Sequence, residues 1–292
     1  MRRGVRATAV LVALVLAATA LGACDSSDPG SAGAAATPTT AAAARTGKGG
    51  STPTDPRRPY RPPAPLQVTL VGDSMAHEAR TALAAAARAK HLDLTMDLLG
   101  KAAPCSQSKD VLAALARRPD VVALEWVGNA LFTAGCTKAF QPAEVVAEYR
   151  AALDRFVAAR PAGTTLVLVG IPPIVQYPWS TTWKLLDQLY RDTAARHAGV
   201  AYLDVTPQLA PGGTFAHALP CSGKEQAAKL CGTQGAPAGQ VVVRDPIGFH
   251  FCPVRYDLDS ADCPVPSPGA ARYADQIVGG IPTLVTRQTQ TP

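Results

Sequence analysis

The sequence predicts an α/β fold, a three-layer α/β/α sandwich around a five-stranded parallel sheet. Three observations point to it. From Leu66 onward, short Val- and Leu-rich runs alternate with longer stretches of helical period. Several of these runs are continuous Val and Leu, as in strands buried on both faces. Right-handed crossovers between parallel strands then wind helices onto both faces.

The elements follow in order. Residues 68–71 form a short buried strand that stops at Gly72-Asp73-Ser74, and 76–90 read as an Ala-rich helix. A second strand is expected over 92–99 and a helix over 108–117. "VVALEWVG" (121–128) is the third strand, followed by a helix over 143–159. "TTLVLVGI" (164–171) is the fourth, then a helix over 182–198 and a fifth strand over 200–206. An irregular stretch covers 207–268, and a last helix starts at 269 and ends near 285. A loop of that length is functional or disordered more often than a mere connector. Its four cysteines, Cys221, Cys231, Cys252 and Cys263, argue for order.

The N-terminus reads differently. Residues 1–23 have the layout of an export signal: Arg2, Arg3 and Arg6, then an apolar run too short for a comfortable membrane span. The run ends in Leu21-Gly22-Ala23-Cys24, which resembles the lipobox of bacterial lipoproteins. That resemblance implies cleavage before Cys24 and a lipid on its side chain. The lipid chains, rather than a spanning helix, would then hold the protein outside the cell membrane. An ordinary secretory peptide cut near Ala23 is the other reading. Residues 24–65 are Ala, Thr, Pro, Gly and Ser with scattered charge, so they read as a disordered tether. The expected organisation is signal 1–23, lipidated Cys24 and linker to 65, catalytic domain 66–287, and a disordered tail 288–292.

Charge and cysteine content narrow the function classes. The formal net charge is +6, but residues 1–65 carry five of those six charges. The near-neutral remainder offers no field for nucleic acid. The chain has seven cysteines, so setting Cys24 aside leaves an even number. Export favours disulfides; Cys221–Cys231 and Cys252–Cys263 are expected as local staples, leaving Cys105–Cys136. Tight CxxC or HxxxH spacing is absent, so no metal is expected.

The chemistry starts at "QVTLVGDSMAHEAR" (67–80). A serine between a strand and a helix N-terminus lies beside free backbone N–H groups that stabilise negative charge. Serine is also a common helix N-cap, so the corner alone does not define a nucleophile. Further along, strand two ends at Gly100, strand three at Gly128-Asn129, and "VVVRDPIGFHFCP" brings His250 ahead of the last helix.

Ser74, Gly100, Asn129 and His250, in that order, resemble the four blocks of the SGNH hydrolase family, the GDSL esterases and lipases. The resemblance spans roughly 66–285 and looks closest to extracytoplasmic SGNH domains that handle acyl groups on envelope sugars. It implies a flavodoxin-like sheet and no cofactor. Ser74 would attack an ester carbonyl, and His250 would accept its proton and return it to the leaving alcohol. The N–H groups of Ser74 and Gly100, with the Asn129 side chain, would hold the oxyanion.

Two departures from the family pattern matter. The position three before His250, usually Asp, is Ile247; Asp245 is the nearest substitute. Backbone carbonyls holding the ring, or Asp257 and Asp259, are the alternatives. The third block reads Val127-Gly128-Asn129-Ala130, without the usual second Asp. Trp179 and Trp183 either stack on sugars or pack a helix. The expectation is a monomeric, lipid-anchored, extracytoplasmic serine esterase that hydrolyses or transfers acyl groups on an envelope glycan or small ester. A catalytically impaired envelope-binding lipoprotein on the same fold is the alternative. A solute-binding lipoprotein is a third reading, but it normally needs two lobes.

Overall fold

The computed structural model describes residues 64–129, 136, 141–177, 179–254 and 263–289. The expected signal peptide, Cys24, nearly all of the linker, Ala130, Asp257 and Asp259 lie outside the described residues. Everything described belongs to the unit that spans 61–292.

Five parallel strands form the sheet: β1 (Gln67–Gly72), β2 (Asp93–Leu98), β3 (Val121–Glu125), β4 (Thr165–Val169) and β5 (Val200–Leu203). Their spatial order is β2-β1-β3-β4-β5. The three central strands are buried along almost their whole length, which is why their sequences are continuously apolar. The edge strand β2 alternates instead: Asp93, Thr95 and Asp97 face water, and Leu94, Met96 and Leu98 face inward. Charged residues on an edge discourage pairing with another chain.

The helices cover both faces. α1 (Ser74–Glu78) and α2 (Arg80–Ala89) follow β1, and α3 (Ser108–Ala116) follows β2. α4 (Pro142–Ala159) and α5 (Trp179–Arg196) follow β3 and β4. α3, α4 and α5 pack side by side, while the C-terminal α8 (Pro268–Thr289) packs against α2. α8 runs beyond the expected end of the domain, into the first residues of the expected tail. Between β5 and α8 lie α6 (Thr206–Leu209), β6 (Ala218–Pro220), α7 (Gly223–Ala227) and β7 (Gln240–Val242). The stretch expected to be irregular thus holds a small antiparallel pair, β6 with β7, over its own apolar cluster of Leu219, Val241 and Val243. A disulfide joins Cys221 to Cys231, and Arg272 on α8 pairs with Glu225 at 2.7 Å, tying this segment to the final helix.

Two boundaries differ from the sequence reading in ways that shape the site. The single helix expected over 76–90 is two, broken at Ala79. The first begins at Ser74, because the side chain of Asp73 caps it by accepting from Met75 N–H at 3.0 Å. Strand three stops at Glu125, since the next residues give their backbone groups to side chains instead of to the sheet. Trp126 C=O accepts from Tyr190 Oη at 3.0 Å, Val127 N–H donates to Asp73 Oδ2 at 2.8 Å, and Gly128 N–H donates to Tyr149 Oη at 2.9 Å.

Candidate active site

The chain leaves β1 towards β2 and returns past β1 to β3, so the sheet changes winding direction between β1 and β3. Ligand sites in such sheets lie at this switch point, beyond the strands' carboxyl ends. Asp73 and Ser74 follow β1 there, and Asn129 follows β3.

Asp73 organises the floor of the site. It is fully buried and accepts three N–H donors: Met75 and Val127 from the backbone, and Asn129 Nδ2 at 2.9 Å. That last bond fixes the Asn129 amide beside the corner that carries Ser74. Asp73 N–H in turn donates to Glu125 Oε2 at 3.1 Å, and Tyr273 on α8 donates to Glu125 Oε1 at 2.9 Å. Burial pushes both acids up, and for Asp73 the neighbouring Glu125 charge adds to the effect. Two adjacent buried carboxyls hold a proton between them more readily than both ionise. Burial also raises Tyr149 and Tyr273, so both keep their hydroxyl protons, and Tyr273 donates its own to Glu125.

Ser74 is the first residue of α1 and is nearly buried. Gly100 lies just past β2, where Leu99 N–H donates to Gly72 O at 3.1 Å and draws the two strand ends together. A disulfide joins Cys105 to Cys136, on the loops that follow β2 and β3. Glu148 lies within 4.8 Å of these two sulfurs, but a disulfide has no thiolate to offer a metal.

His250 sits in a tight loop that follows β7. Asp245 N–H donates to His250 O at 2.7 Å, and Gly248 N–H donates to Asp245 O at 2.9 Å. The Asp245 carboxylate lies on the same backbone: its Oδ1 accepts from Phe249 N–H at 2.7 Å and His250 N–H at 3.1 Å. The ring of His250 faces another acid. Its Nδ1 is 3.4 Å from Glu78 Oε2, and Glu78 also accepts from Phe251 N–H at 2.8 Å and Cys252 N–H at 2.5 Å. Ile247, in the position where the family pattern has Asp, is 45% exposed.

The loop is clamped from below and behind. Arg244 is buried and donates to Gly248 O, with its guanidinium over the Phe251 ring. Burial pushes its pKa down to about 10, against the pull of the Asp245 and Glu78 charges. Ser267, at the start of α8, donates to Phe251 O at 2.9 Å, and a disulfide joins Cys252 to Cys263. Trp179 packs on Phe249 with ring centres 5.0 Å apart and also lines the approach to Gly128. It thus wedges between the histidine loop and the loop after β3. Trp183, one turn further along α5, lines a separate open groove of about 580 Å³ with Asp187, Arg191 and Asp204. Ser74, Asn129 and His250 do not line it.

The geometry thus brings three segments to one end of the sheet. Ser74 and Glu78 share one short helix, Glu78 meets the His250 loop, and Asp73 holds Asn129. The sequence reading did not single out Glu78. Its signal was an acid one turn beyond Ser74 in a helix that is otherwise largely buried.

Fold and site together define an α/β sandwich with a serine, a histidine and an asparagine at the switch point of its sheet. The matching family model is described as "Protein of unknown function (DUF459)" and covers residues 128–240. No curated protein matches the sequence. Three solved structures illustrate the structural likeness. The C-terminal catalytic domain of Streptococcus pneumoniae peptidoglycan O-acetyltransferase A is 17% identical, with 78% of this chain and 97% of that one covered and a TM-score of 0.42. The periplasmic domain of a Salmonella ser. Paratyphi A lipopolysaccharide acetyltransferase is 12% identical, with 74% and 84% covered and a TM-score of 0.44. Esterase EstA from Pseudoalteromonas sp. is 13% identical, with 76% and 99% covered and a TM-score of 0.43.

Proposed function

We propose that this chain is a serine esterase of SGNH type that cleaves or transfers acyl groups on a glycan or small ester outside the cytoplasm. Ser74 Oγ attacks the ester carbonyl while His250 Nε2 takes its proton. The same proton then passes to the departing alcohol, leaving an acyl-serine. Water, or a sugar hydroxyl, enters by the reverse route and frees Ser74. The Asn129 amide, with the N–H groups of Ser74 and Gly100, meets the negative charge that develops on the carbonyl oxygen.

The observation that carries this reading is the anchoring of the His250 loop on Glu78, one turn from Ser74, in the same corner where Asp73 holds Asn129. Helical residues four apart are surface neighbours, so a group that meets Glu78 comes close to Ser74. Three disulfides favour an oxidising compartment. The lipobox-like Cys24 supports a lipid anchor.

Turnover of p-nitrophenyl acetate by the full-length chain tests the assignment. Activity that disappears in both Ser74→Ala and His250→Ala is the expected result. Equal slow release from the parent and both variants would favour a domain that binds envelope esters without cleaving them. A released-acid assay on isolated cell envelope then identifies the acyl group.

A further inference from the structure

We propose that Glu78 is the residue that orients the His250 imidazole, so the nucleophile and the carboxylate behind its base come from a single turn of α1. The inference rests on the serine-esterase reading for its catalytic meaning, although the pairing itself is independent of any substrate.

Among the described residues, two carboxylates lie within reach of the histidine loop, and they face different partners. Asp245 accepts the backbone N–H groups of Phe249 and His250 and thereby shapes the turn. Glu78, whose side chain is wholly buried, faces the ring at Nδ1. That nitrogen is buried and has no hydrogen-bond partner at its present separation of 3.4 Å from Glu78. A histidine in contact with one acid places its N–H toward that acid, because a carboxylate only accepts. The other ring nitrogen, Nε2, is then left with a lone pair for the Ser74 hydroxyl. When the ring takes the serine proton, the contact becomes a charge-assisted pair, which shortens towards 2.7–2.9 Å. Such contacts are often long before substrate binds.

The surroundings keep Glu78 in place for this task. Phe251 and Cys252 N–H groups fix both of its oxygens, and the buried Arg244 supplies a compensating positive charge nearby. Glu78 therefore acts through His250 as a positioning residue. The usual carboxylate in the histidine loop is replaced by one delivered from the nucleophile's own helix. This also accounts for Ile247: with the ring held from α1, the position three before the histidine is free to face solvent.

The test reads the ring directly. Long-range proton–nitrogen NMR on the ¹⁵N-labelled full-length chain, with His250 assigned by its loss in His250→Ala, distinguishes the two tautomers. A neutral ring protonated at Nδ1 is expected in the parent and in Asp245→Asn, where an amide oxygen still accepts both backbone N–H groups. Glu78→Gln should lose that preference, and its kcat for p-nitrophenyl acetate should fall about 10²–10⁴-fold with little change in KM. A parent ring protonated at Nε2 overturns the proposal whether or not any ester is cleaved, and it does so even if Glu78→Gln fails to fold. Loss of the Nδ1–H tautomer in Asp245→Asn but not in Glu78→Gln overturns it as well. If the parent shows the Nδ1–H tautomer but no Ser74-dependent turnover, the esterase reading fails and the Glu78–His250 pairing stands.

Discussion

Gly248 is the position where a single methyl group would report most directly on the histidine loop. Its φ of +74° lies in the left-handed region, and a Cβ there would fall 2.7 Å from Phe215 Cε2 and 3.2 Å from Val175 Cγ2. Left-handed backbone costs a non-glycine residue about 1–2 kcal/mol. At about 2–4 °C per kcal/mol for a domain of this size, that is a fall in Tm of roughly 2–8 °C. Gly212 supplies the control: φ is +78° there, but no atom lies within 4 Å of its Cβ position. Gly212→Ala therefore meets the backbone cost alone. Gly248→Ala adds a contact that is relieved only by moving Phe215 or the loop, an overpacking cost of about 1–3 kcal/mol. Because Gly248 N–H closes onto Asp245 and its carbonyl accepts from Arg244, movement passes to His250. A displacement of about 1 Å in a reacting group typically lowers turnover about 10²-fold. Thermal melts and p-nitrophenyl acetate kinetics on both variants are the assay. A Gly248→Ala variant that keeps kcat within threefold of the parent, or a Gly212→Ala variant that loses as much activity, would break the link between this loop and turnover.

Two other perturbations probe the floor of the site. Asn129→Ala removes both the bond to Asp73 and the proposed oxyanion donor, so kcat should drop about 10²–10³-fold with the fold retained by circular dichroism. Glu125→Gln tests the buried carboxyl pair. Both acids are raised in the folded state, so the native protein holds protons that the unfolded chain releases above about pH 4. That stabilising difference is present at low pH and is lost as pH rises through the raised values. The amide variant has no second charge to bury and can donate to Asp73. Its Tm advantage over the parent should therefore grow from pH 5 to pH 8, and a constant difference would contradict the shared proton.

Much of the scaffold was legible because the central strands are buried on both faces, and burial of that kind writes itself as continuous Val/Leu runs, here at 68–71, 121–125 and 165–169. The break at Ala79 was not legible. Alanines favour one long helix, and no Gly or Pro near Ala79 marks the interruption. Asn129 lies beyond its strand because side chains of Asp73, Tyr149 and Tyr190, distant in sequence, take the backbone groups of 126–128. Nearness in sequence made Asp245 the natural partner for His250. A turn this tight aims the Asp245 carboxylate at N–H groups of its own loop, and the ring is left to an acid 172 positions earlier.

The clasp between the two ends of the domain has a consequence for how the chain comes into being. Phe251 N–H reaches Glu78 across 173 positions, and Tyr273, later still, reaches Glu125 beneath the nucleophile's corner. A polypeptide made from its N-terminus carries Ser74 long before the segments that complete this corner. On the proposed mechanism, the emerging chain is silent towards esters until its final segment docks.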